Sequence, residues 1–386
     1  MKFITTLKTG IFPIAVVSIL LCFDLKAQEI FTGYNGNVNE TALAGTQVWI
    51  KNANIKTLSG KQITVAEMDQ FLNSQMDSSG LPGLSIAMIN DAKIIYYRTL
   101  GVTNVDTKEK VTQKTLFDAG SMSKTPFAYL VMKMIEQGIL NLDQPLYTYL
   151  PNPDIAYDDR YKLITARMIL CHTSGFPNWR FLNEDKKLDI KFTPGTKFLY
   201  SGEGFEYLAN VAAHLKNIQK NELQDLFKKE VALPLGMQYA YYTWNDYVAK
   251  HQAKGHVDGK VSEGWGMNAD KPDFGAAYSL QTEAVSYANF LIAMILEKGL
   301  KKETYDEMLK VQVKIPSKTD SSSYCLGIIM KPSEFGNEYM HDGYNKNFYS
   351  AFMFNKEHKF GYLFFTNCNK GFDFNKKLEA FLTNGK

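Results

Sequence analysis

The order of apolar patterns along the 386-residue chain predicts an α+β fold, an antiparallel sheet from N- and C-terminal segments flanked by helices, with a mostly helical inserted subdomain. Three observations carry this. Strand-like runs gather at both ends of the chain, helical periodicity fills the middle, and residues 130–300 lack the strand–helix alternation that a doubly wound parallel sheet requires. With 45% hydrophobic and 13% aromatic residues the chain can bury a large core, which excludes disordered, collagen-like and small disulfide-held classes.

The first segment is read apart from the fold. Lys2 and Lys8 precede an apolar stretch at 11–23, and Ala27 offers a small residue for cleavage before Gln28, so residues 1–27 are expected to be a signal peptide. The stretch contains Pro13 and falls short of the roughly 20 residues of a membrane span, so no stable span is expected after cleavage. Cys22 offers a lipoprotein alternative, disfavoured because Leu21 before it is bulky for the usual lipid-attachment signal. The expected location is periplasmic or secreted.

Cleavage removes three lysines and one aspartate, which takes the net charge from +3 to +1. No basic run marks a nucleic-acid partner, and near-neutrality suits a small neutral or zwitterionic substrate. Cys171, Cys325 and Cys368 remain, an odd number without CxxC or metal-like spacing. Buried free thiols are expected; one disulfide stays open.

Residues 28–60 are polar and read as an extension, so the catalytic domain is expected over 61–386, with its sheet in 61–120 and 301–386 and its helical region in 121–300. Met68, Phe71, Leu72 and Met76 share a face of a helix at 65–76. Runs at 84–89 and 93–100 flank Asn90-Asp91-Ala92, a hairpin signal. Phe127, Leu130, Val131, Met134 and Ile135 recur at helical spacing from a start near Ser121 to a stop at Gly138. Helices follow at 207–215, 222–231 and 283–296. Strands return at 324–330, 347–354 and 360–367, and a helix at 375–382 closes the chain.

No phosphate loop, HExxH or GxSxG is present, and His251 and His256 are spaced so that they fall on different helical faces. No metal or cofactor is expected. Chemistry is expected instead at Ser121-Met122-Ser123-Lys124. Positions i and i+3 of a helix lie about 5–6 Å apart at Cβ, which puts the lysine within reach of the serine hydroxyl. A helix start also favours developing negative charge. Serine is inert at neutral pH unless a base takes its proton, and lysine can do so only where burial or a neighbouring cation depresses its pKa from about 10.4. The tetrapeptide alone also describes a capping serine beside a solvated lysine.

Further segments give context. The run 117–124 (Phe-Asp-Ala-Gly-Ser-Met-Ser-Lys), then 168–177 (Met-Ile-Leu-Cys-His-Thr-Ser-Gly-Phe-Pro), 194–202 (Pro-Gly-Thr-Lys-Phe-Leu-Tyr-Ser-Gly), 233–237 (Leu-Pro-Leu-Gly-Met) and His341-Asp342-Gly343 follow one another in order. In these the chain resembles the serine β-lactamase and penicillin-binding-protein superfamily, in its class C β-lactamase-like branch, over roughly residues 60–370.

The resemblance implies a β-lactamase/transpeptidase-like fold and a serine hydrolase that forms an acyl-enzyme. Ser121 would be the nucleophile, Lys124 its partner, and Tyr200 the general base and acid, with a phenolate favoured by Lys124. The backbone N–H groups of Ser121 and Tyr344, the latter after Gly343, would form the oxyanion hole. His341 would stand where other members use a lysine to orient substrate, and His172 reads as a structural hydrogen-bonding residue. Gly202 replaces an asparagine that contacts the substrate's acylamino group. A histidine of ordinary pKa about 6.5 at 341 also weakens recognition of a substrate carboxylate. The implied function is an esterase, DD-peptidase or D-amino acid peptidase with weak or absent β-lactamase activity, acting on a small-molecule or peptide substrate, cell-wall derived or not. The alternative is a non-catalytic protein that recognises cell-wall peptide. Trp179, Arg180 and Trp265 fall in loops that either line the cleft or pack at the surface.

Overall fold

The described part of the chain, residues 54–317 and 320–384 of a computed structural model, opens with a short hairpin of β1 (Asn54–Lys56) and β2 (Gln62–Thr64). The expected signal peptide and most of the expected extension lie outside the described residues. Ile55 and Ile63 are buried, and the N–H of Leu58 donates to the carbonyl of Leu382. The folded body therefore takes in residues 54–60, and the expected boundary at 61 falls inside the hairpin. Thr64 then caps helix α1 (Val65–Ser79): its hydroxyl accepts from the Glu67 N–H while the Glu67 carboxylate accepts from the Thr64 N–H, and left-handed Gly80 ends the helix. Strands β3 (Gly83–Asn90) and β4 (Lys93–Gly101) form the expected hairpin. Its two central residues, Asp91 and Ala92, have φ of 48° and 55°, which a type I′ turn requires.

The middle begins with β5 (Phe117–Asp118), a 3-10 turn at Gly120–Ser123 and helix α2 (Lys124–Glu136). The single helix expected from Ser121 thus starts as a tighter turn. Helices α3 (Ala166–Leu170), α4 (Gly202–Lys216) and α5 (Leu223–Phe227) follow, the last continued by a π turn at Lys228–Ala232. Beyond them lie β6 (Ala240–Tyr241), α6 (Asp246–His251), β7 (His256–Val257), β8 (Lys260–Val261), β9 (Gln281–Thr282), α7 (Ala284–Ile295) and α8 (Lys302–Leu309). The order β5-β9-β6 makes a small antiparallel sheet that the sequence pattern did not announce, because two-residue strands carry no periodicity.

Six strands close the chain before α9 (Gly371–Asn384): β10 (Val313–Lys314), β11 (Ser323–Tyr324), β12 (Ile329–Ser333), β13 (Gly336–Tyr344), β14 (Tyr349–Asn355) and β15 (Phe360–Thr366). The strand expected over 324–330 is broken at Gly327, whose φ is 79° and where a Cβ would lie 2.3 Å from the Ala128 methyl of α2. The main sheet runs β10-β11-β12-β13-β14-β15-β3-β4, antiparallel throughout, and β15 against β3 joins the two ends of the chain as expected.

Both faces of this sheet are covered. Leu84, Ile86, Met88 and Phe364 pack under α1 and α9, while Ala87, Ile89, Leu363 and Phe365 face α2 and α7. That is why β15 reads as an unbroken apolar run rather than an alternation. Truncating Phe365 to alanine, with its ring wholly buried, costs about 3–5 kcal/mol. What positions the site is the end of β12. Ile329 pairs with Met340, so residues 341–344 of β13 keep β14 on one side and an open edge on the other.

Candidate active site

The 3-10 turn carrying Ser121 is laid against this open edge. Gly120 has φ 50°, and a Cβ there would sit 2.8 Å from the Tyr344 nitrogen, so only glycine lets the turn approach the strand. The Ser123 hydroxyl donates to the Gly120 carbonyl at 2.6 Å and accepts from the Leu280 N–H at 3.0 Å, which fixes the turn from behind. The Asn345 N–H donates to the Phe348 carbonyl across to β14. Successive residues of a strand point their N–H groups to opposite sides, so the Tyr344 N–H points away from β14, towards Gly120 and Ser121.

One helical turn on, Lys124 is 1% exposed. Its Nζ lies 3.2 Å from Ser121 Oγ and donates to the Ala277 carbonyl at 2.7 Å. It also stands 4.8 Å from the centre of the Tyr200 ring and 5.5 Å from that of Phe205. Burial brings its pKa from 10.5 down to about 7, against an upward pull from Glu206 and Asp342. A ring face returns about 0.5–2 kcal/mol to an ammonium, less than its desolvation costs.

Tyr200 is held from its two neighbours. The Leu199 N–H donates to the His172 carbonyl at 2.8 Å and the Ser201 N–H donates to His172 Nδ1 at 3.0 Å. Because Nδ1 accepts, the imidazole carries its proton on Nε2, which is buried without a partner. Burial, with Lys124 and His341 adding to it, keeps His172 neutral well below its ordinary 6.5. The Tyr200 hydroxyl is inaccessible and also lacks a normal hydrogen bond, although the Ser121 side chain is the neighbour that acts to lower its pKa. Burial outweighs that and holds the phenol above its ordinary 10. Of the two groups, the amine rather than the phenol has its pKa near neutrality.

His341 is 3% exposed and both its nitrogens are engaged. Nδ1 donates to the Asp342 carbonyl at 2.6 Å, leaving Nε2 to accept from the Tyr324 hydroxyl at 2.8 Å. Burial sets its pKa well below 6.5, so it stands as a neutral, internally bonded ring rather than a substrate-facing cation. Gly343 is bound by packing: a Cβ on it would lie 2.0 Å from the Ala119 carbonyl oxygen.

Gly202 begins α4, whose first N–H groups are capped by Ser201 and Asn178. A Cβ at 202 would lie 2.6 Å from the Trp179 indole, so the tryptophan fills the space above this glycine. Trp179 also stacks on Phe181 and meets Tyr278 edge-on. Arg180 turns away into ion pairs with Glu203 and Asp154, while Trp265 is half-exposed beside Tyr344.

The fold thus brings Ser121, Lys124, Tyr200, Gly202, His341, Gly343 and Tyr344 into one neighbourhood. Sequence reasoning missed Ala277, whose carbonyl had no signal, and Asp118 and Asn345, whose contact spans 227 residues. Among the described residues no group of three or more His, Cys, Asp or Glu is arranged to hold a metal ion, and Cys171, Cys325 and Cys368 are buried free thiols. No helix among the described residues is long and apolar enough to cross a membrane.

A family model described as Beta-lactamase matches residues 68–383. Protein flp of Staphylococcus aureus (strain NCTC 8325 / PS 47) is 21% identical over 323 residues, which is 78% of this chain and 63% of that protein. A Beta-lactamase of Pseudomonas fluorescens is 28% identical over 184 residues, 45% of this chain and 49% of that one. The chain thus spans less than two thirds of these relatives' length. Among solved structures, the D-alanine carboxypeptidase AmpC from Burkholderia cenocepacia superposes with a TM-score of 0.69 at 19% identity, over 83% of this chain and 98% of that one. The octameric penicillin-binding protein homologue from Pyrococcus abyssi gives 0.66 at 22%, over 79% and 74%. At these identities the structural likeness shows the fold.

Proposed function

The chain belongs to the beta-lactamase family, and from that premise we propose that it is a serine hydrolase that acylates Ser121, with Lys124 as the base. The observation that supports this most is the amine itself: buried, 3.2 Å from Ser121 Oγ, with a pKa of about 7, so that much of it is neutral at physiological pH. The Ser121 proton passes to Lys124 as Oγ attacks an ester or amide carbonyl. The backbone N–H groups of Ser121 and Tyr344 take the oxyanion. As the tetrahedral intermediate collapses, the Tyr200 hydroxyl gives its proton to the leaving group and recovers one from the Lys124 ammonium. Water then releases the acyl group by the same route in reverse.

The substrate class follows from what the cleft lacks. His341 is neutral and internally bonded, so it offers no cation to a carboxylate, and Gly202 offers no amide to an acylamino group. These favour an ester or an uncharged peptide amide over a β-lactam. We place its action in the periplasm or outside the cell, on the charged, apolar and small-residue pattern of residues 1–27.

The test is turnover of p-nitrophenyl acetate, nitrocefin and a D-alanyl-D-alanine peptide. Saturable ester hydrolysis is expected, with kcat/KM rising through about pH 7 and falling about 10³-fold or more in Ser121→Ala. Nitrocefin turnover faster than the ester's would overturn the substrate class, and an active Ser121→Ala would overturn the nucleophile.

A further inference from the structure

The two N–H groups assigned to the oxyanion hole belong to pieces of chain far apart in sequence, and something must hold them in register. Asp118 stands between them. Its Oδ1 accepts from the Gly120 N–H at 2.8 Å, next to Ser121, and from Asn345 Nδ2 at 2.7 Å, next to Tyr344. Both side chains are buried, Asp118 to 3% exposure and Asn345 to 5%. The Asn345 amide also donates to the Tyr278 carbonyl at 3.2 Å, one residue beyond the Ala277 carbonyl that holds Lys124. Among the described residues no cationic side chain pairs with Asp118.

We infer that Asp118 is a positioning residue whose carboxylate, by clasping Gly120 and Asn345 together, sets the spacing of the Ser121 and Tyr344 N–H donors. The inference rests on the acyl-enzyme reading above. A short side chain is required, because Asp118 bonds the backbone only two residues ahead, and the turn has no slack: Ser350 Oγ donates to the Ala119 carbonyl at 2.8 Å on its other side. Burial raises the carboxyl to about 7, so the fold keeps an acid where a neutral group would be easier to bury. Oxyanion donors act mainly in the transition state, and losing one outright slows kcat about 10²–10³-fold. Losing their alignment should cost less and should leave ground-state binding nearly intact.

The test compares Asp118→Ala, Asp118→Asn, Asn345→Ala and the Asp118→Ala/Asn345→Ala double variant on p-nitrophenyl acetate, with fluorophosphonate labelling of each. Expected are a kcat lower by about 10–100-fold with KM within about threefold for both alanine variants. Asp118→Asn, whose amide oxygen still accepts from Gly120, should recover most of the rate. The double variant should be no slower than the slower single one, since both break one clasp. Multiplying losses, a loss carried by KM, or an Asp118→Asn as slow as Asp118→Ala would overturn the inference. If Asp118→Ala does not fold, Asp118→Asn and Asn345→Ala decide on the same criteria. A wild-type protein that forms no Ser121 adduct would defeat the acyl-enzyme reading itself, whereas labelling and turnover unchanged in every variant would defeat only the clasp.

Discussion

Replacing Lys124 by methionine should remove activity and raise stability, and the size of the gain should depend on pH. The folded protein keeps this amine neutral down to about pH 7, where an unfolded lysine is protonated below 10.5. Between those values the unfolded chain binds more protons, so stability rises with pH across the window, while below it the cost is carried in full and no longer changes with pH. The cost carried at pH 7 is roughly 4 kcal/mol, and at pH 9.5 it has fallen to roughly 1 kcal/mol. Methionine keeps most of the buried stem but leaves the Ala277 carbonyl without its donor, which costs about 1–3 kcal/mol. Lys124→Met should therefore be more stable than wild type by roughly 1–3 kcal/mol at pH 7 and no more stable at pH 9.5. Urea unfolding of both proteins at the two pH values, extrapolated linearly, measures this. A variant less stable at pH 7, or a difference equal at both, would refute a depressed amine at this position.

Other expectations are local. Gly202→Asn drives a side chain into the Trp179 indole and should lower stability by about 1–3 kcal/mol, a loss that melting curves should show relieved in Trp179→Ala/Gly202→Asn. Tyr324→Phe leaves His341 Nε2 buried without a donor and should cost about 1–3 kcal/mol in the same assay. His172 and His341 are held neutral by burial, so the unfolded state binds more protons below about pH 6.5 and stability falls as the pH drops through that value. His341→Gln should flatten that fall in denaturation midpoints taken at pH 7 and pH 5; an unchanged slope would count against the assignment.

What was legible in the sequence was local. Ser121 and Lys124 are one helical turn apart, so their meeting follows from spacing, and the Asn90-Asp91-Ala92 turn and the strand run of β15 each declare themselves within a few residues. What was not legible depends on distant partners. The height of the Tyr200 pKa comes from burial supplied by separate segments, and His341 loses both nitrogens to a backbone carbonyl and to a tyrosine 17 residues away. Gly202 looked like a lost asparagine, and only the Trp179 ring above it shows why nothing larger fits. The Asp118–Asn345 contact joins β5, just before the serine, to the residue after β13, a separation of 227 residues that no periodicity spans.

In the proposed mechanism Ser121 is acylated because Lys124 is neutral beside it. Intact-mass and peptide mapping of the protein after fluorophosphonate treatment, with the labelling rate followed from pH 5.5 to 9, tests it most directly. One adduct is expected, on Ser121, at a rate that rises with pH through about 7 and is lost in Lys124→Met. An adduct elsewhere, or labelling of Ser121 at a rate indifferent to both pH and Lys124, would contradict it.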